Sequence, residues 1–214
     1  MSNKINVYIV NRNLLTTLKH TIEFLLKEPR VEVIIFDQLS TYPPLLEYYK
    51  SCGVTVVYSD INGGPPSIWG ETLRPYFNDN HYIITDSDCN YINVPSDWLD
   101  VMLNVLEDSA VDKVGFSLNI NNLPDNLLSK DVISWESKYW LNKNQHGWIA
   151  ELDSTFSLCR YQTGFLYNAI RLDHPYTINH IPWYLESLDE EWKYYVDNVT
   201  GMSTWGCKLK NIIN

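Results

Sequence analysis

Four short, β-rich apolar runs, at residues 5–10, 31–36, 54–58 and 82–85, alternate with segments of helical spacing or turn chemistry, and this alternation restricts the possible folds more than any other feature of the chain. After the first run, Leu14, Leu15, Leu18, Ile22, Leu25 and Leu26 recur at helical intervals, with Asn13 in place for an N-cap. Pro43-Pro44 opens a second helix that Gly53 stops. Asn62-Gly63-Gly64-Pro65-Pro66 leads into an expected helix over 68–76, and a further helix over 98–106 carries Leu99, Met102, Leu103 and Leu106. A β-α-β-α order of this kind implies a mostly parallel central sheet flanked by helices. The second half is less regular, with expected strands at 114–118 and 154–158 and a helix over 133–141.

In a parallel sheet all strand carboxyl ends lie on one edge, where ligands bind. The residues that come after the four runs are Asn11 and Arg12, then Asp37, then Asp60 and Asn62, then Asp86-Ser87-Asp88. Every one of these is a polar strand-end residue, and a turn role is the plain reading of each alone. Together they describe a nucleotide pocket. Asp86 and Asp88, one residue apart in extended chain, point to the same side and can share a hard cation that a bound diphosphate completes, which suits Mg²⁺ or Mn²⁺. Asp37 is placed to accept from a base N–H or a ribose hydroxyl, Arg12 or Asn11 to reach phosphate or base, and the Gly63-Gly64 turn lets the backbone approach a ligand closely.

The strand-end residues exclude other phosphate chemistries. There is no G-x-G-x-x-G after the first strand and no G-x-x-x-x-G-K-[ST]. Asp86, Asp88, Asn90 and Asp97 have the spacing of an EF-hand loop, but Tyr91 occupies the glycine position, Pro95 interrupts, and an apolar strand precedes. A formal net charge of -10 argues against nucleic acid as partner. The four cysteines, Cys52, Cys89, Cys159 and Cys207, are scattered without a C-x-x-C, which favours a reducing compartment. With no signal peptide or bilayer-length apolar run, the expectation is a soluble, cytoplasmic protein.

The segments Val10-Asn11-Arg12-Asn13, Phe36-Asp37-Gln38-Leu39-Ser40-Thr41, Asn62-Gly63-Gly64, Asp86-Ser87-Asp88, Glu151-Leu152-Asp153-Ser154-Thr155-Phe156 and His180-Ile181-Pro182-Trp183-Tyr184 together resemble the GT-A fold glycosyltransferases, especially the small family-2-like enzymes, over nearly the whole chain. The resemblance implies a single GT-A domain over 1–214, with a nucleotide-binding half at 1–110 and an acceptor-binding half at 111–214. It implies that Asp37 binds the nucleoside, that Asp88 is the direct metal ligand, and that Asp86 contacts ribose or the metal's water shell. Asn11, Arg12, Asn62, Gly64 and Ser87 complete the donor site. By the same likeness Asp153 sits beside the transferred sugar as the catalytic acid–base candidate, with Glu151 as its alternative, and His180 is a further metal ligand whose nitrogen tilts the choice toward Mn²⁺. The chain departs from the family in lacking a plain acidic pair for the base and in ending soon after the histidine. It is expected to be either a minimal enzyme or one catalytic module of a larger viral or microbial glycan-building protein.

The activity so implied is transfer of a sugar from a nucleoside diphosphate, a UDP-sugar by expectation, to a hydroxyl of a glycan or glycoprotein. Six of the eight tryptophans, Trp135, Trp140, Trp148, Trp183, Trp192 and Trp205, lie in the second half, and Trp148 and Trp183 flank the implied site residues as candidates to face an acceptor sugar. His20, His81, His146 and His174 show no ligand spacing, and Glu190 and Glu191 read as a solvated helix face. The rival readings are a sugar-nucleotide pyrophosphorylase, although the glycine-rich basic segment of that family is missing after the first strand, and a carbohydrate- or nucleotide-binding module without turnover.

Overall fold

The computed structural model describes residues 4–78, 80–126, 128–161 and 168–213. Strands β1 (Ile5–Asn11), β2 (Val31–Asp37), β3 (Thr55–Tyr58) and β4 (Tyr82–Asp86) pair in the order β3-β2-β1-β4, all parallel. The sheet continues through β8 (Phe156–Cys159), β6 (Lys113–Leu118) and β9 (Ala169–His180) to the short β5 (Cys89–Asn90), with β7 (Trp148–Ile149) also on β9. β8 runs antiparallel to both β4 and β6, whereas β6 and β9 are parallel, so β1–β4, β6 and β9 share one direction. The α/β fold with a mostly parallel central sheet is therefore present, and β8, β5 and β7 are its reversed members.

Side-chain alternation explains why both faces of this sheet are covered. Val7 and Ile9 of β1, Val33 and Ile35 of β2, and Ile83 of β4 belong to the larger core, where they meet Leu18, Ile22 and Leu25 of α1 (Thr16–Leu25) and Leu99 and Met102 of α3 (Trp98–Val105). Their neighbours Tyr8, Ile34, Phe36, Tyr82 and Ile84 point the other way, onto Ile68 and Leu73. A strand buried on both faces reads as a continuous apolar run, and these do. Gly115 in β6 is needed for the sheet to close, because a Cβ there would lie 2.0 Å from the Phe156 carbonyl oxygen of β8.

Several local expectations are corrected. Residues 68–76 form no continuous helix but two 3-10 turns, Pro65–Trp69 and Arg74–Tyr76, as Pro65, Pro66 and Pro75 remove N–H donors and Gly70 breaks the run. The helix expected over 133–141 begins earlier, as α4 (Ser129–Glu136), and tightens to a 3-10 turn at Ser137–Trp140. Asn13 does not cap α1. It sits at φ 55° and its Oδ1 accepts from the N–H groups of Thr41 and Tyr42, in the turn that leads into α2 (Pro43–Tyr49). The start of α1 is capped from 175 residues away: Glu191 of α5 (Glu190–Asp197) accepts from Leu15 N, Thr16 N and the Thr16 hydroxyl at 2.8–3.1 Å. Glu191 is thus buried, not on a solvated face.

Candidate active site

The carboxyl edge of the parallel strands opens into a cavity of about 690 Å³. Asn11 and Arg12 reach it from the end of β1, Asp86, Ser87 and Asp88 from the end of β4, and Asn62 and Gly64 from the loop after β3. Because β8 is antiparallel to β4, its amino end lies at that same edge, which delivers Asp153, Ser154 and Thr155. His180 arrives by register: β5 pairs with β9 so that Cys89 faces His180, and Ile181 N donates to the Asp88 carbonyl at 2.8 Å. Of the sequence-derived site residues, Asn11, Arg12, Asn62, Gly64, Asp86, Ser87, Asp88, Asp153 and His180 all line this one cavity.

Asp37 does not line it. Asp37 is 2% exposed; its Oδ1 accepts from the Tyr49 hydroxyl at 2.8 Å and its Oδ2 from Ser40 N at 3.0 Å. It stands behind the wall, at the end of a relay in which the Ser87 hydroxyl donates to Asn11 Oδ1, Asn11 Nδ2 to the Tyr49 oxygen, and Tyr49 to Asp37. The side chain that does reach the cavity from the end of β2 is Gln38, whose Oε1 accepts from Gly63 N and the Ser67 hydroxyl while Nε2 is buried with no partner. Arg12 donates from Nη1 to the carbonyls of Gln38 and Leu39, leaving Nε unpaired. Two buried donors without acceptors are costly unless a ligand satisfies them.

The acids form the other notable group. Asp88 Oδ2 lies 3.3 Å from His180 Nε2, while Asp88 Oδ1 and His180 Nδ1 are buried without partners. The Ser154 hydroxyl donates to both oxygens of Asp86 at 3.0 and 3.3 Å. Burial, then the charges of Asp88 and Asp153, push the Asp86 carboxyl up to about 8. For His180 burial favours the neutral ring, but Asp88, Asp86 and Asp153 outweigh it and hold the pKa above the ordinary histidine value. Carboxylates that repel one another in this way are stabilised by a proton or a cation. Asp153 is exposed, with Oδ1 accepting from Thr155 N at 2.9 Å and the Thr155 hydroxyl at 2.5 Å.

Among the described residues no three His, Cys, Asp or Glu side chains are arranged to hold a metal by themselves. The residues that could hold an ion, shared with a ligand's oxygens, are Asp88 through its partnerless oxygen, Asp86 and His180.

The far wall contains residues that sequence reasoning missed. Thr200, Met202, Ser203, Trp205 and Lys208, from the loop before and the first turns of α6 (Thr204–Ile213), line the cavity with Trp135 and Glu136 of α4. Asn62 Nδ2 donates to the Thr200 hydroxyl at 2.7 Å, and Gly64, at φ 62°, passes beneath Met202, whose sulfur would lie 3.3 Å from a Cβ. For Glu136 a signal existed, since α4 buries Ser129, Val132 and Glu136 at helical spacing, which puts an acid on the inward stripe. Of the two tryptophans expected to face an acceptor, Trp183 is among the cavity-lining residues but is only 1% exposed and packs in the core, and Trp148 does not line the cavity; its indole N–H donates to Asp173 at 3.2 Å. Glu151 also lies outside, at a smaller pocket with Asp108 and Asn168.

No family model matches the chain, and no curated protein matches its sequence. Among solved structures it is similar to TarS 1-349 of S. aureus, with 14% identity and a TM-score of 0.45 over 73% of this chain and 47% of that one. It is also similar to GalNAc-T7 with UDP, GalNAc and Mn2+ (20% identity, TM-score 0.44, 54% of this chain and 23% of that one) and to a cytidylyltransferase from Leptospira borgpetersenii serovar Hardjo-bovis (16%, 0.39, 57% and 56%). These neighbours are glycosyltransferases and nucleotidyltransferases, and the chain spans less than two thirds of each. Among the described residues no helix is long and apolar enough to cross a membrane.

Proposed function

We propose that the chain is a metal-dependent glycosyltransferase that moves a sugar from a nucleoside diphosphate sugar, a UDP-sugar, to a hydroxyl of a glycan. The observation that carries this reading is the convergence, in the lining of one cavity at the strand edge, of Asp88, with its unpaired buried oxygen, Asp86, His180 and Asp153 with Arg12 and Gln38, each of which keeps an unpaired buried donor. Acids and hydrogen-bond donors gathered in one cavity are complementary to a ligand that is both anionic and cation-binding, which describes a diphosphate carrying Mn²⁺ or Mg²⁺.

Asp88 holds the ion, with Asp86 and His180 beside it. When bound, the ion supplies Lewis-acid stabilisation of the charge that grows on the diphosphate as the sugar departs. Arg12 and Gln38 donate to the nucleotide, and Asn11 and Ser87 fix the shape of its wall, braced through Tyr49 by Asp37. Asp153, held at one oxygen by Thr155 and free at the other among the described residues, takes the proton of the attacking hydroxyl in an inverting reaction and orients the acceptor in a retaining one. The proposal is tested by two incubations with Mn²⁺, one with a panel of UDP-sugars in which free UDP is measured and one with UTP and sugar 1-phosphates in which free pyrophosphate is measured. Release of UDP from the UDP-sugar is expected; release of pyrophosphate from UTP and a sugar 1-phosphate identifies a pyrophosphorylase, and binding without either product identifies a module without turnover.

A further inference from the structure

Glu136 is 3% exposed, and Arg171 of β9, also 3% exposed, donates from Nη1 to its Oε2 at 2.9 Å. Arg171 is fixed in turn, because its Nε donates to the Glu151 carbonyl at 2.7 Å and its guanidinium lies 4.0 Å over the Tyr139 ring. A buried ion pair loses much of its attraction to desolvation, so stability alone is a weak reason for its presence. Among the described residues nothing donates to the second oxygen, Oε1, of this cavity-lining carboxylate.

The charge state of this carboxylate decides what it can bind. Asp86, Asp88 and Asp153 crowd one another, and among the described residues none of them is ion-paired with a lysine or arginine, so their cluster suits a cation. Glu136 is already neutralised by Arg171, so it offers a cation little, and as an acceptor it repels phosphate oxygens. What remains for Oε1 is a neutral donor, and a hydroxyl is the simplest one. The surroundings fit a hydroxyl carried on a ring. Trp135 precedes Glu136 on α4 and is 54% exposed. Trp205 of α6 packs edge-on against Trp183 with centroids 5.4 Å apart, and Lys208, one turn on, reaches Asp131 of α4 at 2.7 Å, which holds α6 beside α4.

We propose that Glu136, positioned by Arg171, is the hydroxyl-binding residue of an acceptor subsite for a neutral sugar, with Trp135 and Trp205 as its aromatic walls. The inference rests on the glycosyl-transfer reading and adds to it the residues that recognise the acceptor. It is tested by saturation-transfer NMR on the protein with UDP and Mn²⁺, titrated with the methyl glycosides of glucose, galactose, mannose and N-acetylglucosamine. At least one glycoside should bind, and Glu136→Gln should weaken it about tenfold, while UDP affinity, read by calorimetry, stays at the wild-type value. Since Glu136→Gln strands Arg171, the neutral double variant Glu136→Gln/Arg171→Met is measured beside it, with circular dichroism reporting the fold. Trp135→Ala, at an exposed position, probes the same wall without touching the ion pair and should also weaken the glycoside. No glycoside bound by the wild type, full glycoside affinity in a folded Glu136 variant, or full affinity in Trp135→Ala overturns the assignment. Failure of the wild type to bind UDP instead counts against the glycosyl-transfer reading, and the titration repeated without UDP then decides the role of Glu136 separately.

Discussion

Along one wall of the cavity, Asn11, Arg12, Gln38, Asp86 and Ser87 come directly at the ends of adjacent parallel strands. Along the other, Glu136, Trp183 and Trp205 come from a helix, a 3-10 turn and the last helix, while His180 ends a twelve-residue strand. The first wall needs only that the strands be parallel and in register, since sheet geometry then gathers their ends. The second depends on single long-range ties: the pairing of Cys89 with His180, the Glu136–Arg171 ion pair, and the hydrogen bond from Asn62 to Thr200. A wall made by topology tolerates side-chain changes without losing its shape, whereas a wall made by individual contacts is open to specialisation and to damage at each one.

The comparison is broken most sharply at Asp153, the one exposed acid that β8 brings to the first wall. Asp153→Asn should slow sugar transfer by about 10² to 10⁴, the range expected for loss of a general base, with UDP affinity near wild type; transfer at full speed removes it from the chemistry. Next comes Asp88, where the walls meet. Asp88→Asn should reduce Mn²⁺-dependent UDP affinity by roughly 10² while the circular dichroism spectrum is unchanged, and calorimetry that finds equal affinity would place the ion elsewhere.

Glu191 tests whether the carboxy-terminal region is tied to the first wall by its remote cap. Glu191→Ala leaves the first N–H groups of α1 without their acceptor and should cost about 2 kcal/mol of stability, read as a lower urea midpoint at unchanged slope. An unchanged midpoint would mean that α1 starts equally well without α5. The smallest effect is expected at Trp148, which lies outside the cavity. Trp148→Phe should leave both donor affinity and transfer rate at wild-type values, and a raised acceptor KM would show that the acceptor extends beyond the wall of Trp135, Trp183 and Trp205.

Much of the first wall was legible because its signals are local. A β-rich run that ends in a polar residue marks a strand end whatever the rest of the chain does, and so Asn11, Arg12, Asp86 and Asp88 could be placed together before any contact was known. The same rule overreached at Asp37: it located the residue correctly at a strand end but could not tell which of two successive polar side chains, Asp37 or Gln38, reaches the cavity. Tyr49 decided that by offering Asp37 a buried hydrogen bond. Asn13 fell to a similar competition: at a positive φ, its side chain bonds the turn before α2 and not the start of α1.

The sequence by itself determined the parallel α/β core, because apolar periodicity and strand-end polarity are enforced within a few residues by backbone geometry and burial. Only the tertiary structure decided that Glu191 caps α1, that Glu136 enters the cavity with Arg171 behind it, and that Trp205 rather than Trp148 lines the far wall. The physical reason is that a buried carboxylate must find its partner wherever the fold supplies one, and the partners of these two acids lie 175 and 35 residues away, beyond the reach of any local pattern.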